Sequence, residues 1–208
     1  MPKAIVVLAS TSRDKLRELR PLLVPLSLEL VAGPTLASLD VDETADSFIG
    51  NALLKARAWH VLTGLPALAD DSGLEVEALG GAPGILSARV APDDGSRIAW
   101  LLDRMREQRH RRARFVAALA LVAGDRCWTA TGYCRGTLAE APRGEGGFGY
   151  DPLFVPEGQT RTFAEMKEEE KGGYSHRGIA SRLLVGRLSD PFVIQYLLDC
   201  YRNVARGF

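Results

Sequence analysis

The 208-residue sequence has no surplus of either charge: 26 lysines and arginines face 26 aspartates and glutamates. A general nucleic-acid or membrane-surface binder draws affinity from a basic excess, so a neutral chain argues against that class. A local basic pocket for a phosphorylated small molecule remains compatible. Cysteine is scarce. Cys127, Cys134 and Cys200 are odd in number and widely spaced, which gives neither a zinc pattern nor a disulfide framework. Cys127 and Cys134 fall in a strand-like run and read as quiet core thiols in a reducing cytoplasm. Long apolar runs are missing too. The stretch from Met1 to Ala9 is too short for a membrane span or a signal peptide, and no cleavage-site pattern follows it. There is no internal repeat and no low-complexity linker, hence no sharp domain boundary. What is present is 46% hydrophobic and 25% charged residues, ordinary for a globular protein able to bury a sizeable core.

The chain is organised around Leu65 to Arg89. An apolar run, Leu65 to Ala69, leads into Asp70 and Asp71, then Ser72 and Gly73. Such a run reads as a buried strand bounded by a turn, and strand ends in α/β sheets present chemistry. Two adjacent carboxylates there are costly to bury without a partner, and a hard divalent cation suits carboxylate oxygen. The competing reading is a simple turn cap, since Asp-Asp-Ser-Gly is good turn chemistry.

Ala4 to Ala9 reads as a first buried strand, followed by Ser10, Thr11 and Ser12 and then by Leu16, Leu19, Leu22 and Leu23 at helical spacing. Ser12 is the expected N-cap, and the amides of that helix start, with Lys15 in its first turn, form an anion site; a capped helix with a solvated lysine is the alternative. Leu28 to Val31 is a short strand. Gly33 to Thr44 is an acidic loop carrying Asp40, Asp42 and Glu43. A helix beginning near Asp46 or Ser47 and closing at Gly64 follows, with Lys55 off its apolar stripe, either solvated or a phosphate ligand. Further strands are expected over Leu74 to Leu79, Ile85 to Val90, Phe115 to Ala123, Cys127 to Leu138 and Leu153 to Val155. Helices are expected over Ser96 to Met105, from Thr162, from His176 to Leu188, and over Phe192 to Ala205.

Three motifs carry chemistry. The basic tract Arg104 to Arg114 has no aromatic interleaving and reads as a solvated helix end and loop, with a patch gathering an anionic substrate as the alternative. Gly144 to Pro152 has four glycines around Phe148 and Tyr150; glycines allow close backbone approach, and an exposed aromatic can stack on a base. Lys171, His176 and Arg177 cluster at a helix start and suit polar edges or phosphates.

Taken together, the segments LASTSRDKLREL, DET…SFIGNALLKA, TGLPALADDSGLEVEALGGAPGILSAR, ARFVAALALV, GEGGFGYDPLF, TFAEMKEEEK and SHRG resemble the inosine triphosphate pyrophosphatase family, in order from about Leu8 to about Leu188. The resemblance implies an α/β fold over 1–208, a long mixed central sheet with flanking helices forming two lobes around a cleft. It implies a cytoplasmic homodimer, independent of nucleic acid and membrane, that hydrolyses ITP, dITP and XTP to the monophosphate and pyrophosphate with Mg²⁺. It implies roles as well. Ser10, Thr11, Ser12, Arg13, Asp14 and Lys15 hold the triphosphate, with Lys55 as a second phosphate-side cation. Glu43 and Asp71 hold the metal, with Asp42 and Asp70 as close alternatives. Asp71 is the general base, Ser72 contacts substrate, and Phe148 stacks on the purine. Gly149, Tyr150 and Asp151 complete that wall, while Lys171, His176 and Arg177 line the base pocket.

Two departures stand out. Ser10-Thr11-Ser12 replaces the family's usual Thr-Gly-Asn and is similar to the start of the Maf family, nucleotide pyrophosphatases for pyrimidine or modified nucleotides. Gly50 stands where the family usually has glutamate before Asn51. A Maf-like enzyme and a non-enzymatic nucleotide or nucleic-acid binder are the alternative functions.

Overall fold

The computed structural model describes residues 4–22, 24–26 and 28–206. The chain runs β1 (Ala4–Leu8), α1 (Arg13–Leu22), β2 (Leu28–Ala32), α2 (Phe48–Thr63), β3 (Ala67–Val76), α3 (Asp94–Arg104), β4 (Arg112–Ala123), β5 (Arg126–Leu138), β6 (Phe154–Pro156), α4 (Glu168–Tyr174), α5 (His176–Leu188) and α6 (Pro191–Arg206). The strands follow the order β2-β1-β3-β4-β5-β6. The sheet is mixed: β1 pairs parallel with β2 and β3, whereas β5 and β6 are antiparallel. This is the expected α/β class with a mixed sheet. Leu23, read at helical spacing with its neighbours, lies outside the described residues.

The chain forms two compact units, each discontinuous in sequence. The first holds the described residues of 1–71, 118–131 and 180–208. Its core buries Phe48 and Trp59 beside many aliphatic side chains, of which Val6, Leu68, Leu121, Leu184 and Leu188 line a small apolar void. Ser47 caps α2 by accepting from the Gly50 amide at 3.3 Å, and Gly64 closes the helix in the left-handed region at φ 70°. The last helix, expected over Phe192 to Ala205, packs here. Tyr196 Oη donates to Asp125 Oδ1 at 2.7 Å, and its ring meets Trp128 edge-on. That pins the Gly124–Asp125 turn between β4 and β5.

The second unit holds 72–117 and 132–179. Leu74, Val76, Leu101, Phe115, Leu138, Phe154 and Phe163 form its core, with Phe115, Phe154 and Phe163 in mutual ring contact. The basic tract is largely spoken for within this unit. Arg104 lies over Trp100, Arg106 pairs with Asp103, His110 with Glu77, Arg114 with Glu75, and Arg111 donates to the carbonyls of Leu138 and Ala139.

Three local expectations are corrected. The aspartates do not end a strand, because β3 runs without a break through Asp70, Asp71, Ser72 and Gly73 to Val76. Ile85 to Val90 forms no strand; Gly84–Leu86 is a 3₁₀ turn, and Ser87 Oγ, buried there, accepts from the Leu74 amide at 2.8 Å. Cys127 is exposed on β5, so only Cys134 is a core thiol, its pKa pushed up to about 12 by burial. In addition, Glu168–Tyr174 is a helix that the apolar pattern did not announce, because its two glycines and acidic start carry little periodicity.

Candidate active site

In the first unit, two ammonium groups converge on a single carbonyl. Lys15 Nζ and Lys55 Nζ each donate to the Asp70 backbone oxygen at 3.1 Å. Lys15 also pairs with Asp70 Oδ1 at 2.7 Å, while Lys55 bridges Glu43 Oε1 at 2.6 Å and Asp71 Oδ1 at 2.9 Å. The strand explains this pattern. Successive side chains leave β3 on opposite faces, so Asp70 and Asp71 take different lysines. The Asp70 side chain is fully buried, and Asp71 is nearly so.

Burial pushes the Asp71 carboxyl up, Lys55 pulls it down, and Glu43 adds to the rise; the net effect is upward. Burial would lower the Lys55 ammonium, but Asp71 and Glu43 together raise it above its ordinary value. The result is a firmly charged lysine beside an unusually basic carboxylate, a pairing suited to accepting a proton next to an anion.

Asn51, on α2 and fully buried, was passed over by the sequence reading. Its Oδ1 accepts from the Ala45 amide at 3.0 Å and its Nδ2 reaches Asp71 Oδ2 at 3.5 Å, so it ties the Glu43–Ala45 segment to Asp71. A buried polar residue on an apolar helix stripe was the available signal. Next to it, a Cβ on Gly50 would sit 2.6 Å from the Ala45 Cβ. The glycine lets that segment close onto α2, and a glutamate there would need Ala45 to move.

The β1–α1 turn is built on serines. Ser10 Oγ accepts from the Ser12 amide at 3.1 Å, and Ser12 Oγ from the Lys15 amide at 3.2 Å. Lys15 therefore starts its helix with its amide capped and its ammonium delivered to β3. Thr11 and Arg13 are exposed, and Asp14 pairs with Arg17. Asp42 is exposed as well, and among the described residues no hydrogen bond or ion pair joins its side chain to Lys55 or Asp71. Asp70 is engaged by Lys15, which leaves Glu43 and Asp71 as the carboxylates facing one lysine.

No group of three or more His, Cys, Asp or Glu side chains shaped for a metal occurs among the described residues. Glu43 and Asp71 are the carboxylates that could hold a magnesium ion, a hard cation that prefers oxygen ligands.

The second unit carries a separate cluster around Phe148. Lys171 Nζ lies 4.9 Å from the Phe148 ring centroid and the Arg177 guanidinium 5.6 Å. Lys171, itself buried, pairs with Asp151 Oδ2 at 2.6 Å, and the same oxygen accepts from the Phe148 amide at 2.9 Å. Arg177 is buried and donates to Ser72 Oγ at 2.8 Å. His176 stacks on Phe115, 4.6 Å between centroids. Phe148 and Gly149 are half-buried. Tyr150, expected in the same wall, turns into the core instead: its hydroxyl donates to the Ser87 carbonyl at 3.0 Å, and burial pushes its pKa up to about 12. The cluster thus presents an aromatic face beside cationic hydrogen-bond donors.

Residues 6–187 match the model of the Ham1 family. A dITP/XTP pyrophosphatase from Thermus thermophilus is 50% identical over 190 residues, covering 89% of this chain and 92% of that protein. Another from Nostoc is 45% identical over 188 residues, covering 89% and 94%. Among solved structures, a HAM1 protein from Coxiella burnetii superposes with a TM-score of 0.82 at 37% identity, covering 90% of this chain and 99% of that one. A dITP/XTP pyrophosphatase from Mycobacterium abscessus superposes at 0.71 with 42% identity, covering 88% and 99%.

Proposed function

The chain belongs to the Ham1 family, and from that premise we propose that it is a pyrophosphatase for non-standard purine nucleoside triphosphates (ITP, dITP and XTP), releasing the monophosphate and pyrophosphate. Its dITP/XTP pyrophosphatase relatives at 45–50% identity support the activity. The observation that carries the chemistry is Lys55, held between Asp71 and Glu43 while sharing the Asp70 carbonyl with Lys15. Two lysines so close together suit a polyphosphate, and a basic carboxylate among them suits activation of water.

In this reading Lys15, Lys55 and the Ser10–Ser12 turn bind the phosphates. Asp71 takes the proton of the attacking water, the anhydride between the α- and β-phosphates breaks, and the two lysines offset charge on the departing pyrophosphate. Glu43 and Asp71 would hold a magnesium ion, which would supply charge neutralisation and polarise the phosphate. Phe148 stacks on the purine. Lys171, His176 and Arg177 offer donors to a 6-keto group, which inosine and xanthine nucleotides present where adenine carries an amino donor. Buried donors left unpaired reject such an analogue strongly.

The proposal includes a cytoplasmic homodimer. No described helix is long and apolar enough to cross a membrane. In the second unit an open cavity of about 780 Å³ is lined by Arg112, Arg114 and Arg135 together with Glu75, Glu77 and Glu157. Equal numbers of both charges suit a face that meets its own copy across a twofold axis.

The deciding assay is pyrophosphate release from ITP, XTP, GTP, ATP and dTTP, each with Mg²⁺ and with EDTA. Metal-dependent release from ITP and XTP, with little from ATP or GTP, is the expected outcome. Release mainly from dTTP would favour the Maf-like alternative and point to the Ser10–Ser12 turn. No release from any nucleotide would overturn the proposal.

A further inference from the structure

The Gly149 turn is gripped by carboxylates at two consecutive amides, and one of the two has no part in the chemistry above. Asp151 takes the Phe148 amide. One residue later the Gly149 amide donates to Asp94 Oδ2 at 2.6 Å, across 55 residues of sequence. Asp94 lies in the first turn of α3, and its other oxygen is fixed as well. Arg97 Nη1 donates to Asp94 Oδ1 at 2.8 Å, while Arg97 Nε is anchored on the Ala91 carbonyl at 3.0 Å. The carboxylate is thereby held with one oxygen aimed at the loop.

α3 does not need Asp94 to start. Asp93 is its cap, accepting from the Ser96 amide and the Ser96 hydroxyl, both at 2.8 Å. Nor does lack of room explain Gly149, since no atom lies within 4 Å of where its Cβ would be; the glycine serves its φ of 60°. The loop is fastened behind this point by the buried Tyr150 and Asp151, whereas residues 141–147 in front of it are exposed. The Asp94 bond meets the backbone directly after Phe148, next to the Phe148 carbonyl, which accepts from the Asp151 amide at 3.2 Å.

We propose that Asp94 is a positioning residue for the base: by holding the Gly149 amide it sets the plane of the Phe148 ring and so governs nucleotide affinity, acting through Phe148 and not on the phosphates. This rests on Phe148 being the stacking platform of the proposed function. The Asp94 side chain is 43% exposed, so water competes for the bond and the effect is graded.

The test combines steady-state kinetics with calorimetric binding of ITP in EDTA, which needs no turnover. Asp94→Ala raises KM and Kd for ITP by about ten-fold, the worth of one hydrogen bond to a charged acceptor, and leaves kcat within about two-fold. Asp94→Asn keeps an acceptor oxygen and recovers most of the loss. Tyr196→Phe loosens the Gly124–Asp125 turn of the first unit and lowers Tm, yet leaves KM unchanged, which separates positioning from mere stability. In a Phe148→Ala background, Asp94→Ala adds less than about two-fold, because residues acting as one unit are not additive. Should the alanine variant not fold, Asp94→Ser also withdraws the carboxylate from Gly149 and carries the same expectation. Wild-type KM and Kd in Asp94→Ala, or a full effect of Asp94→Ala when Phe148 is already absent, would overturn the inference. Asp94-dependent ITP binding without pyrophosphate release would instead sink the proposed reaction and leave this inference standing.

Discussion

Asp71 and Phe148 divide the expected kinetic consequences between them. Asp71 is raised by burial and held by Lys55, so its replacement removes the proton acceptor while leaving shape intact. Asp71→Asn should lower kcat by about 10²–10⁴-fold, the usual range for a general base, with a much smaller change in KM for ITP. A variant with near-normal kcat would refute that role. Phe148→Ala should do the reverse. Stacking of a base on an aromatic ring is worth about 1–3 kcal/mol, so KM for ITP rises by roughly 5- to 150-fold while kcat stays within a few-fold. Asp70 and Asp71 were both legible from sequence as candidates, but their division of labour was not. Adjacent carboxylates read alike until strand geometry sends each to its own lysine.

At the scale of elements, three packing relations bear on the site. Phe154 is fully buried between Phe115 and Phe163, and Phe115 carries His176 on its other contact. Phe154→Ala should cost about 3–5 kcal/mol in urea denaturation. Gly178, in the first turn of α5, faces Gly172 of α4 so closely that a Cβ would fall on the Gly172 carbonyl oxygen. Gly178→Ala should therefore displace the start of α5, lowering Tm and weakening ITP binding together, because His176 and Arg177 belong to that same turn. A normal Kd in this variant would show that the helix start tolerates displacement. α3 supplies a pH dependence. Asp93 is held below the usual carboxylate range, first by the Ser96 amide and then by the Ser96 hydroxyl. A value lower in the folded than in the unfolded state stabilises the fold above roughly pH 4, and that contribution is lost as pH falls through the lowered value. Asp93→Asn should then lower Tm at pH 7 and make little difference at pH 2. Several of these elements were readable from apolar periodicity, among them α2 with its Ser47 cap and Gly64 stop. α4 was not, and the continuity of β3 was hidden because Asp-Asp-Ser-Gly is as typical of turns as any four residues can be.

For the whole molecule, the homodimer is tested by native mass. Light scattering should give twice the 22.6 kDa of one chain, and Arg135→Glu should shift that mass toward the monomer if the mixed-charge face is the contact. A wild-type monomer would dismiss the dimer without touching the proposed reaction. By itself, the sequence determined the fold class, most strand and helix locations, and the residue types of both clusters, because these follow from apolar period, cap chemistry and ordered motifs that extend over most of the chain. Tertiary structure alone decided which groups meet. It joined Lys55 to Asp71 and Glu43, brought the unremarked Asn51 to Asp71, turned Tyr150 into the core, and led Asp94 to the Gly149 amide. Those partners lie 12 to 63 residues apart. Periodicity shows which side of an element faces inward, but only the packed chain settles which distant carboxylate reaches which amide or ammonium.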